Sequence, residues 1–150
     1  MRIRAIGLLI GMALAWTGAF FFVKTYHDGV AQQAGSIADR IEVPEGWLVV
    51  SEHVEREQFV CFNTKPCPTL SRTWQADRVL EATDLQRLTD TLGWDFELDG
   101  DCQRGDDEVG VSSVCSAVAT SEGYRIQLRV DSPEPGSASM VRLRLTSAGE

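Results

Sequence analysis

The sequence predicts an α+β fold in which an N-terminal transmembrane helix precedes a small disulfide-containing antiparallel sheet with one packed helix. Three observations lead there. Residues Ala5 to Val23 form an apolar run with no charged side chain. All four cysteines, Cys61, Cys67, Cys102 and Cys115, follow that run. The C-terminal third alternates apolar and polar residues with the period of a strand, and one leucine-rich segment upstream has the period of a helix.

At about 1.5 Å per residue, a helix over residues 5–23 reaches about 28 Å, close to the thickness of a bilayer's hydrocarbon core. Arg2 and Arg4 precede it, whereas Lys24 follows and is soon offset by Asp28. This asymmetry keeps the amino terminus cytoplasmic and exports the rest. Cleavage as a signal peptide is the alternative, because Thr17-Gly18-Ala19 supplies small residues at a plausible cut. Phe20-Phe21-Phe22-Val23 would follow that cut, however, where a polar segment is expected, so retention is favoured. Gly7 and Gly11 have the spacing that lets two membrane helices approach closely, a weak signal in a membrane span.

The chain divides into a cytoplasmic N-terminus at 1–4, the transmembrane helix at 5–23, a juxtamembrane stalk at 24–46, an extracytoplasmic α+β domain at 47–146 and a tail at 147–150. One core is all that this length supports. Leaving out Arg2, Arg4 and Lys24, which flank the anchor, 11 basic residues face 22 acidic ones, a balance of −11. Such an exterior repels phosphodiester backbones and argues against nucleic acid as the main partner.

Four cysteines in a small exported domain fit two disulfides. Zinc is disfavoured because no close Cys-x-x-Cys pair occurs and the only histidines are His27 and His53. Loop-closure entropy leans towards Cys61 with Cys67 and Cys102 with Cys115, and the two other pairings stay open. Pro66 and Pro68 flank Cys67, so the first pair would clip a stiff reversal. Its five intervening residues are unlike the two of redox-active pairs.

Residues 24–46 contain Gly29, Gly35 and Ser36 with little sustained apolar periodicity, hence the stalk; Ala34, Ile37, Ala38 and Ile41 nevertheless fall near helical spacing. After the turn at Pro44-Glu45-Gly46, Trp47-Leu48-Val49-Val50 suits a buried strand. Ser71 to Val79, with Trp74 and Ala76, reads as another strand. Thr83-Asp84-Leu85-Gln86 has the form of a capping box, after which Leu85, Leu88 and Leu92 share one helical face and Gly93 ends the element. Val111, Ser113, Cys115 and Ala117 fall on one face of the next strand, with Val114 and Val118 on the other. Tyr124 to Asp131, and a last strand in which Val141, Leu143 and Leu145 alternate with Arg142 and Arg144, complete an antiparallel meander whose wet face carries Arg125, Arg129, Arg142 and Arg144. Pairing with Asp131 and solvation account for that stripe, and ligand capture is the alternative.

Asp95-x-Glu97-x-Asp99-Gly100-Asp101 sets oxygens at alternate positions, and Asp106 falls twelfth, as in a calcium loop of the EF-hand type. Position three is Glu, position twelve is the shorter Asp, and Cys102 stands where an apolar residue is usual. Trp94, Phe96 and Leu98 alternate with the acids, so a strand turning its carboxylates outward is the favoured reading. Calcium on Asp95, Glu97, Asp99, Asp101 and Asp106 is the alternative, and no other cofactor is expected.

The anchor, the Cys61 to Pro68 segment, Arg72, Trp74 and a helix ending in Gly93-Trp94 together resemble uncharacterised membrane-anchored exported proteins of high-GC Gram-positive bacteria. That resemblance implies a location and brings no activity. With no nucleophile pattern, and with His27 and His53 in no recognisable catalytic spacing, the chain is expected to be a non-enzymatic binding or accessory protein of the cell envelope. Its expected partners are the bilayer, through the anchor, and an envelope protein or wall component. A calcium- or cation-binding domain, or a domain secreted after cleavage, are the alternatives.

Overall fold

A computed structural model describes residues 16–18, 20–21, 25, 32–54 and 68–148. The apolar run at 5–23 thus lies mostly outside the described residues, as do His27, Cys61 and Cys67. Among the described residues no helix is long and apolar enough to cross a membrane. Trp16, Phe20 and Phe21 are helical and exposed.

The described chain begins its fold with a helix at 32–39 (α1), then β1 (Leu48–His53), β2 (Pro68–Gln75), α2 (Ala82–Asp90), β3 (Glu97–Asp99), β4 (Ser112–Ser121), β5 (Tyr124–Ser132) and β6 (Met140–Ser147). The strands make one six-stranded sheet in the order β1-β2-β6-β5-β4-β3, with every pairing antiparallel. The expected α+β class, the meander of β4, β5 and β6, and the packed leucine helix are all present.

One face of the sheet is apolar. Register aligns Ala117, Leu128 and Leu143 across three strands, and likewise Cys115, Val130, Val141 and Trp74. Both sets are buried, and α1 and α2 cover them through Ala34, Ile37, Ala38, Leu85 and Leu88. Among the described residues the architecture is therefore two layers, helices on one side of the sheet and an uncovered polar face on the other.

Four local expectations change. Residues 32–41 do not hang as a stalk: Ala34, Ile37 and Ala38 are fully buried, so the folded unit begins well before Trp47. Gly35 fails to break this helix because the core, rather than intrinsic propensity, holds it. β1 forms where expected but is an edge strand, so Leu48, Val49 and Val50 keep 65%, 61% and 54% of their surface exposed. The α2 cap lies two residues earlier than Thr83: Glu81 is the cap, and the Asp84 carboxylate accepts its backbone N–H at 3.0 Å. Finally, a bulge between Ser113 and Cys115 sets Ser113 opposite Asp131 and Cys115 opposite Val130, so the two residues face opposite sides.

Arg72 ties α1 to the sheet. It sits on the apolar face opposite Leu143, with Nε donating to Glu52 at 2.7 Å, Nη2 to Asp39 at 2.9 Å and Nη1 to the Ala38 carbonyl at 3.5 Å. Burial works to lower its pKa, and the hydrogen bonds it donates to Asp39 and Glu52, with the charges of those carboxylates, outweigh that and raise it. Arg40, from the end of α1, reaches Glu122 at 2.6 Å and lies over Trp94. Buried Ser139 joins the β2–α2 connection to β6, its hydroxyl accepting from Leu80 N–H and its carbonyl from Ala76 N–H.

Cys102 and Cys115 form a disulfide, one of the two pairings that loop closure favours. Gly100, at φ +85°, passes so close to β4 that a Cβ there would come 2.5 Å from the Val114 carbonyl oxygen. Arg104 then holds the following loop by donating to the carbonyls of Ser132, Glu108 and Gly110.

Candidate functional site

The uncovered face of the sheet gathers the chemistry. Strand alternation sends Arg125 and Arg129 of β5 and Arg142 and Arg144 of β6 to this side, and all four are exposed. Arg129 lies directly opposite Arg142, an arrangement that repulsion would disfavour if no counter-charge intervened. Asp131 supplies it. Its buried carboxylate accepts from Arg129 Nε at 2.8 Å and stands 3.7 Å from Arg142 Nη2. Among the described residues, Arg125 and Arg144 make no ion pair.

Hydroxyl groups extend the patch towards the β1 edge. The row Ser51, Thr73, Arg142, Arg129 and Ser116 crosses five strands, and beside it run His53, Ser71, Arg144 and Gln127. Ser51, His53, Ser71, Thr73, Arg142 and Arg144 line a shallow open groove of about 350 Å³. Comparison with family models, curated proteins and solved structures finds no match. The site is therefore argued from its own chemistry.

The one aromatic ring in these rows is the imidazole of His53; Trp74, Trp94 and Tyr124 belong to the covered side or its margin. What the face offers is chiefly charge and hydrogen bonding. An arginine offers five N–H donors in a planar fork suited to oxyanions. With three hydroxyls alongside, the groove is rich in donors, and one shared acid lies between Arg129 and Arg142.

The carboxylates of the acidic stretch are spread out. Glu97 and Asp99 pair across from Val118 and Ser116 and share the uncovered face, two strands from the arginines of β5 and three from those of β6. Asp95 precedes β3, Asp101 accepts from Gln103 N–H at 3.0 Å, and Asp106 lines a separate hollow with Cys102 and Arg104. Among the described residues no three His, Cys, Asp or Glu side chains gather as metal ligands do. Trp94 and Phe96 pack against the core as the alternation expects, but Leu98 on the short edge strand stays 41% exposed.

The arginine stripe was legible in the sequence. Its continuation was not: nothing in the spacing of Ser51, Ser71 and Thr73 places them beside Arg142 and Arg144, because β2 inserts between β1 and β6 only through the sheet order.

Proposed function

We propose that this chain is a membrane-anchored extracytoplasmic binding protein of the cell envelope, non-enzymatic, with the arginine face of its sheet as the binding surface. The observation that carries this reading is the contrast between that face and the remainder of an acidic chain of formal net charge −8. A local concentration of exposed arginines against such a background costs solubility and folding energy little, and selects anionic partners by complementarity. The surface is open and shallow, which suits docking of a large partner better than the enclosed, water-free geometry that catalysis uses.

The apolar run at 5–23 and the flanking Arg2 and Arg4 support the anchor and its orientation. Between that run and the described part of α1 at 32–39 lie residues 24–31. Fully extended they span at most about 28 Å, so the domain would work at the membrane surface. Crosslinking in intact membranes, followed by identification of the conjugates, tests the reading. A reproducible envelope partner that is lost in an Arg142→Gln/Arg144→Gln variant is expected; conjugates that are absent, or unchanged in that variant, contradict it.

A further inference from the structure

We infer that the partner of the arginine face is an extended, phosphate-bearing polyanion, held chiefly by Arg142 and Arg144 with Arg125 and Arg129 continuing the track. This inference rests on the binding reading above and names the chemistry of its ligand.

The dimensions exclude a single small anion as the full occupant. Arg125 and Arg129 are four residues apart on β5, about 14 Å at the rise of an antiparallel strand. Arg142 and Arg144 on the neighbouring β6 are about 7 Å apart, and adjacent strands stand about 4.8 Å from one another. One oxyanion in the groove reaches Arg142, Arg144 and, on the adjacent strand, Arg129, but leaves Arg125 at the far end of the track unused; a chain of anions engages all four. The open groove also lacks the enclosure that small ligands require, whereas a polyanion needs none, since each neutralised charge releases counterions.

Acceptor geometry favours phosphate over carboxylate. The guanidinium groups of Arg142 and Arg144 and the hydroxyls of Ser51, Ser71 and Thr73 line one groove from three different strands. A carboxylate's lone pairs lie in one plane, whereas the oxygens of a phosphate, even within a chain, are set tetrahedrally and accept from several directions. Single-stranded nucleic acid is disfavoured because it is gripped by successive stacking rings, and these rows present only the imidazole of His53.

Asp131 limits the field without cancelling it. It is buried under Arg129 and Arg142, while Arg125 and Arg144 keep their charge unpaired among the described residues. Glu97 and Asp99 sit on the far side of β4, where they would turn a polyanion back towards β6 and β2.

The test uses the full chain in nanodiscs of neutral phosphatidylcholine, titrated with inorganic polyphosphate, with polyglutamate, and with oligothymidylate over a range of salt. Polyphosphate should bind in preference to both others, with affinity that falls steeply as salt rises. An Arg125→Gln/Arg144→Gln variant, which orphans no carboxylate, should lose about tenfold or more, and the salt slope should fall by about two. Arg87→Gln, on the exposed side of α2, should change nothing. The inference is overturned if polyphosphate does not bind, if the double variant binds as well, if polyglutamate or oligothymidylate binds as tightly, or if nanodiscs containing phosphatidylglycerol occupy the face through the same arginines. Because these measurements use purified chain, their failure is separable from failure of the envelope reading, which the crosslinking decides.

Discussion

Arg129 and Arg142 face each other across β5 and β6, and the carboxylate of Asp131, only 4% exposed, lies between their guanidinium groups. Removing that acid leaves two like charges opposed and a buried site stripped of its charge-assisted bonds. Asp131→Asn should lower stability by about 1–3 kcal/mol, measured by denaturant unfolding. The same variant should strengthen polyphosphate binding, because the face becomes more positive. A loss of both stability and binding would mean that Asp131 organises the arginines for the ligand rather than merely restraining them.

Ile37 separates a core helix from a stalk. It is fully buried against the sheet, so Ile37→Ala should cost about 2–5 kcal/mol. In a domain of this size that is a drop of ten degrees or more in Tm at about 4–8 °C per kcal/mol. A stalk residue would give no measurable change.

How much of this was readable beforehand depended on what each segment's neighbours do. β5 announces itself because Tyr124, Ile126, Leu128 and Val130 alternate without interruption, and a central strand buries that whole set. α1 hides because two of its three buried residues are small, Ala34 and Ala38 beside Ile37, with Gly35 and Ser36 among them; small side chains let the helix lie close to the sheet but weaken the hydrophobic pattern. Val49 and Leu48 look like core and are not, since burial of a strand follows from its place in the sheet rather than from its own composition. The β4 bulge is invisible in spacing alone, and it alone moves Ser113 to the opposite face from Cys115.

Arg72 binds α1 to the sheet through partners of unequal worth. Its own side chain is 15% exposed, whereas Asp39 is 70% exposed, so the direct coupling of that pair in a double-mutant cycle should stay below about 1 kcal/mol. Arg72→Met should cost more than Asp39→Asn, because it also gives up the bonds to Glu52 and the Ala38 carbonyl and the stacking over Trp74. Equal costs would place the whole effect in the Asp39 bridge.

Asp84 gives the domain an acid-side limit. The bidentate hydrogen bonds from Arg78, both at 2.8 Å, lower its pKa despite the opposing cost of burial, and the Glu81 N–H adds to them. Since the folded pKa lies below the unfolded one, the stabilisation is complete above the unfolded value of about 4 and is lost as pH falls through the folded value. Thermal melts between pH 5 and pH 2 should show this loss, and Asp84→Asn should flatten it while lowering Tm at neutral pH. An unchanged acid profile in that variant would assign the loss to other carboxylates.

The disulfide closes a loop with a sequence separation of 13. Replacing Cys102 and Cys115 together by serine should cost about 3 kcal/mol from loop entropy. Gly100→Ala should be comparably damaging through a different cause, the contact with the Val114 carbonyl and the φ of +85°. Additive losses in the triple variant would show the two to be independent.

The most direct measurement of the central claim treats whole cells with an impermeant protease and takes the intact mass of the chain recovered from untreated membranes. An anchored, exported domain predicts full-length mass and digestion of residues 32–148 from outside. Protection of that region, or recovery of a soluble chain shortened near Ala19, would contradict it.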